Sequence, residues 1–98
     1  MTHSGAARPD LPFTVEFDGE DMDCGSGLLL AITSRIRGID EGQVMLLHTR
    51  ERSVLADLPA WAGMAGHDLV DVWEPGVDGP WSLWIRRGGR RARGTSSG

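Results

Sequence analysis

The sequence predicts an α/β two-layer sandwich of order β-α-β-α-β-β, a four-stranded mixed sheet with two helices on one face. Three observations carry that reading. Apolar residues repeat with the period of a strand in some stretches and of a helix in others. Glycine and proline fall mainly between those stretches. A chain of 98 residues with 40% hydrophobic content has material for one small core of two layers at most.

The elements follow in order. Residues 1–11 are polar and rich in small side chains, and are expected to be a disordered N-terminus. The domain proper is expected over 12–87. In "PFTVEFDG", Phe13, Val15 and Phe17 alternate with Thr14, Glu16 and Asp18, the pattern of a half-buried strand. From Gly27 the period changes. Leu28, Leu29, Ile32 and Ile36 share one helical face, Thr33, Arg35 and Arg37 turn toward water, and Gly38 is the stop. "GQVMLLHT" is apolar on both faces and reads as a central strand. A second helix lies within "SVLADLPAWAGMAGH" and ends at Gly66. Its start is either Asp57, as a cap with Pro59 in the first turn, or Ser53, with a bend at Pro59. "DLVDVW" and "WSLWIR", joined by "EPGVDGP", form a hairpin. Residues 88–98, "GGRRARGTSSG", have nothing to bury and are expected to be a flexible Arg-rich tail.

Strand polarity then points to a functional edge. The first two strands of a right-handed crossover are parallel, so the loops that leave them emerge at the same carboxyl edge. Open α/β sheets place their chemistry there. The loop with Cys24 and the segment "HTRERS", with Arg50 and Arg52, are expected to be neighbours.

Composition narrows the function classes. The net charge of −4 divides unevenly: residues 1–85 hold five arginines against fourteen acidic residues, a formal −9, and the other five arginines lie in 86–93. An acidic body argues against broad nucleic-acid binding by the folded part, which leaves the tail as a candidate for weak RNA contact. No apolar run is long enough to span a membrane, and the first residues lack the apolar centre of a signal peptide. A cytoplasmic protein, monomeric or weakly dimeric, is the expectation. One cysteine excludes an internal disulfide scaffold and a thioredoxin-type exchange, which needs a resolving partner.

Cys24 is therefore either a working thiol or a small buried residue. A helix N-terminus stabilises a thiolate through free N–H groups and the positive end of the dipole. Arg50 or Arg52 would act in the same direction, and Asp21 and Asp23 against it. Gly25, Ser26 and Gly27 offer successive donors without bulk, a cradle for a negatively charged sulfur.

From about Val15 to Arg87 the chain resembles the TusA/SirA-like sulfurtransferase family. "DLPAWAGMAGHDLVDV" is similar to that family's Asp-Ile-Pro…Gly-His-Glu-Leu stretch, and "LWIRRG" to its closing strand. "FDGEDMDCGSGLLLAI" aligns Cys24 with the cysteine of its Cys-Pro-x-Pro motif. The resemblance implies a sulfur carrier, an enzyme in the sense of a sulfurtransferase, that needs no cofactor. Cys24 would accept a persulfide from a cysteine desulfurase-like donor and pass it to a downstream acceptor protein. The motif reads Cys24-Gly25-Ser26-Gly27 here, without either proline, "TRER" replaces an acidic pair, and the chain has no lysine. A non-catalytic interaction module of the same fold is the competing expectation.

Weaker signals remain. His48 and His67 lack metal-ligand spacing with Cys24, so no metal site is expected. His48 could pair with Cys24 or be an ordinary strand-end residue. "GSG" falls short of a phosphate-binding fingerprint. Trp73 and Trp84 fall opposite Val70, Val72, Leu83 and Ile85, on the open sheet face. There they either form a partner surface, beside Met45 or Leu47, or shield their own sheet as a cross-strand pair. Trp61 and Trp81 are expected in core or hairpin packing.

Overall fold

The alternation of Val15 and Phe17 and the helical spacing of Leu28, Ile32 and Ile36 become a strand and a helix as their periods require. The structure, a computed structural model, describes residues 8–20, 22, 25, 27–77 and 79–89, and the backbone of 2–4. The elements are β1 (Thr2–Ser4), β2 (Val15–Asp18), α1 (Leu28–Arg37), β3 (Val44–Thr49), α2 (Ser53–Ala65), β4 (Asp68–Glu74) and β5 (Trp81–Arg86).

The sheet order is β1-β4-β5-β3-β2. β2 pairs parallel to β3, and β5 runs antiparallel to both β3 and β4. These four strands are the expected mixed sheet. β1 adds a short fifth strand, parallel to β4, with Thr2 opposite Val72. Within the N-terminal segment 1–11, the backbone of these three residues pairs as a strand. A strand edge recruits backbone N–H and C=O groups, so polar side chains are no bar to pairing.

Both helices pack on the same face. Leu28, Ile32 and Ile36 of α1 and Val54 and Leu58 of α2 form one buried cluster with Met45, Leu47, Val72, Leu83 and Ile85. α2 starts at Ser53, not at Asp57, which is exposed within the helix. The Glu51 carboxylate takes the capping role, accepting from Ser53 N at 3.2 Å and Ser53 Oγ at 3.0 Å. Pro59 therefore lies inside the helix, where the missing N–H costs one intrahelical bond. Core register is kept regardless: Val54, Leu58 and Ala62 are buried at four-residue spacing.

The domain extends past Arg87. Gly88 N donates to His67 Nδ1 at 2.9 Å, and a Cβ on Gly88 would stand 1.5 Å from the Gly66 carbonyl oxygen. Residues 88 and 89 thus pack against the end of the folded unit. The packing leaves room for a bare Cα only, a constraint that composition does not reveal. The rest of the expected tail, 90–98, lies outside the described residues.

The helix-free face is also covered. Because Leu83 and Ile85 face the helices, Ser82 and Trp84 point the other way, as does Leu46 opposite Trp84. Yet Leu46 is fully buried and Trp84 is only 1% exposed. β1 and β2 lie at opposite edges, and the helices occupy the other face. Of the chain between them, residues 8–14 are described, and Pro9 and Leu11 are half-buried. The expected exposed patch is corrected accordingly: Trp84 is on the predicted face but buried, beside Leu46 rather than Met45 or Leu47, and Trp73 is half-buried. A register irregularity between Leu69 and Asp71 turns Leu69, not Val70, into the core.

Candidate functional site

The carboxyl ends of parallel β2 and β3 meet at one edge. Past β2 the chain turns at once: Glu20 N donates to Asp18 Oδ1 at 2.9 Å and Met22 N to the Gly19 carbonyl at 2.9 Å. Glu20 takes a left-handed conformation, φ 50°, uncommon for a residue with a side chain. This turn stands against the end of β3, where Gly19 N donates to the His48 carbonyl at 2.8 Å and Arg50 N to the Glu20 carbonyl at 2.8 Å. The two loops are bonded to each other, as their polarity predicts.

Cys24 and Ser26 lie outside the described residues, as do Asp21 and Asp23. What is described brackets them. Gly25 is exposed, and Gly27 stands immediately before α1 with φ 101°. That angle is open to glycine and closed to proline, whose ring holds φ near about −65°. Among the described residues the helix start has no side-chain cap, and its first turn holds no acidic residue. The first N–H groups of a helix lack intrahelical acceptors and direct positive potential toward the preceding loop.

The two arginines differ. Arg50 is exposed beside the Glu20 turn, while Arg52 has its guanidinium carbon 5.8 Å from the centre of the Trp81 ring. Trp81 is itself pinned, its Nε1–H donating to the Gly76 carbonyl at 2.6 Å, which is the hairpin packing expected of it. Arg35 lies 4.7 Å above the Phe17 ring and holds α1 against β2.

His48 points onto the helix-free face. Its Nε2 lies 2.5 Å from Glu16 Oε2, and its Nδ1 lies 2.9 Å from Ser82 Oγ. A carboxylate on Nε2 places a proton there, which leaves Nδ1 of the neutral ring to accept from the serine hydroxyl. The order serine–histidine–carboxylate is that of a nucleophilic relay, but Ser82 is 1% exposed, so no substrate reaches it. The chain of bonds instead ties β2, β3 and β5 together. Among the described residues no group of His, Cys, Asp and Glu could hold a metal ion, and no helix is long and apolar enough to cross a membrane.

Sequence reasoning did not anticipate a second feature, a cleft at the far end of both helices, lined by Arg37, Asp40, Glu41, Trp61, His67 and Arg87. The available signal was the pair Gly88-Gly89 directly after a strand, where small residues permit close approach. No protein-family profile matches the chain, and no curated protein matches it in sequence.

Proposed function

We propose that this protein is a cytoplasmic sulfur carrier, with Cys24 as the group that accepts and releases sulfur. The observation that supports this reading best is the bonded pair of loops at the carboxyl edge, Arg50 N to Glu20 O at 2.8 Å, beside a helix start with no capping side chain among the described residues. A sulfur in the intervening loop would meet the positive end of α1 and the Arg50 charge, both of which favour the thiolate. Arg52 adds potential from farther off, over Trp81.

In the transfer step, the Cys24 thiolate attacks the outer sulfur of a donor persulfide. A new S–S bond forms on Cys24, the donor's S–S bond breaks, and the donor leaves as a thiolate. No external oxidant or reductant enters, which suits a chain with one cysteine. Gly25, Ser26 and Gly27 would provide donors to the persulfide anion. The partners would be a cysteine desulfurase-like donor and an acceptor protein. The Arg-rich tail would make a weak contact to RNA.

The backbone at Gly27 favours a second reading, an interaction module of this fold without sulfur transfer. A residue at φ 101° cannot superpose on the second proline of Cys-Pro-x-Pro, so the helix is entered differently. Burial of Trp84 removes half of the tryptophan pair that would have served such a module as a docking surface.

One experiment separates the two. The protein and its Cys24→Ser variant are incubated with a cysteine desulfurase, L-cysteine and pyridoxal phosphate, then weighed intact. The carrier gains the mass of one sulfur atom on the parent and none on the variant. Absence of the adduct with several desulfurases rejects the carrier and leaves the module. The thiolate argument fails separately if Cys24 titrates at the ordinary cysteine value of about 8.5.

A further inference from the structure

The far end of the molecule carries a cleft of about 830 Å³ between the C-terminal ends of α1 and α2 and the segment after β5. That is the size of a small-molecule site. One wall is aromatic: the Trp61 and His67 rings lie 5.4 Å apart, inclined by 43°. His67 is oriented by the backbone, since its Nδ1 accepts from Gly88 N at 2.9 Å. An accepting Nδ1 puts the proton of the neutral ring on Nε2, which is thereby a fixed donor. Burial and the nearby Arg87 charge both disfavour a second proton, with Asp68 opposing them. Arg87 is fixed as well, its Nη1 donating to the carbonyl oxygens of Arg37 and Ile39.

The remaining lining is charged but balanced. Arg37 and Arg87 stand against Asp40 and Glu41, so with His67 neutral the described lining has no net formal charge. A strongly anionic ligand would meet two carboxylates, and a strongly cationic one two guanidinium groups. A ring that stacks on the aromatic wall and offers both donors and acceptors at its edge meets complementary groups on both sides. We propose that this cleft binds a planar, uncharged heterocycle with mixed hydrogen-bonding edges, of the purine-nucleoside class. The site uses no residue of the Cys24 loop, so it stands or falls independently of sulfur transfer.

The test is a titration of the full-length, isotope-labelled protein with adenosine and guanosine, followed by amide and indole N–H spectra. The expected result is saturable shifts at the Trp61 indole and the Gly88 and Gly89 amides for at least one nucleoside, with Kd at or below about 1 mM. Arg37→Ala and Glu41→Gln, both at exposed positions, should keep the spectrum of the folded protein. Each should weaken binding by about fivefold, the loss of one net hydrogen bond. The proposal is overturned if neither nucleoside gives saturable shifts there, or if both variants bind as the parent does. It is equally overturned if adenosine 5′-monophosphate binds tenfold more tightly than adenosine, since the cleft would then be an anion site.

Discussion

The two ends of α1 are built by different means. At its start, the loops after β2 and β3 are joined through main chain: Arg50 N to Glu20 O, Gly19 N to His48 O, and an entry at Gly27 in the left-handed region that favours glycine. At its end, the cleft is assembled from side chains, with Arg87 on the last carbonyl groups and His67 between Gly88 and Trp61. Main-chain bonds tolerate side-chain replacement, so the first end can vary its chemistry while keeping its shape. The second end depends on the fit of particular groups. Substitutions should therefore have different consequences at the two ends.

The largest effect is expected at Gly88. A Cβ there must displace backbone at Gly66, so Gly88→Ala should cost about 2–3 kcal/mol, read from the urea midpoint of unfolding. An unchanged midpoint would mean that the segment after β5 does not rest on the end of α2. Gly27 should follow. No atom lies within 4 Å of a Cβ built there, so Gly27→Ala meets only the left-handed backbone penalty, about 1 kcal/mol. Gly27→Pro should cost more, because its φ is excluded. If proline proves equal to or better than glycine, the comparison with a proline-type helix entry must be redrawn in favour of the sulfurtransferase motif.

A pH effect of smaller size belongs to His67. Its folded-state affinity for a proton is lowered, chiefly by burial and then by Arg87. Below the ordinary histidine value of 6.5 the unfolded chain takes up a proton that the folded chain resists. Stability should therefore be fully present above that value and decline as pH falls through it. Thermal melts between pH 7.5 and about 5.5 should show the decline, and His67→Gln, which retains an acceptor for Gly88 N, should flatten it. A slope identical in parent and variant would assign it to other groups. The smallest effect is expected at the first end. Arg50→Ala removes one exposed charge and should raise the Cys24 thiol pKa by only a few tenths of a unit, measured by pH-dependent alkylation. A shift above about one unit would place Arg50 in direct contact with the sulfur.

Much of the fold is legible in the sequence because it follows from period. Phe17, Ile32 and Leu47 reveal their elements by spacing, and parallel strands place two loops at one edge wherever a crossover joins them. The turn after β2 beside the end of β3 is legible for the same reason. The start of α2 was not, since Ser53 and Asp57 are both plausible starts and only the backbone entering the helix selects between them.

Local sequence thus determined the order of elements, their inward faces and the shared edge of the two loops, because each depends on neighbours within a few residues. Tertiary structure decided the rest. Alternation told which way Trp84 points, but not that it is buried there. Gly88 is ordinary as a residue and becomes indispensable only where Gly66 approaches it. The cleft likewise gathers residues from both helices, a loop and the segment after the last strand, and no local pattern encodes such a meeting.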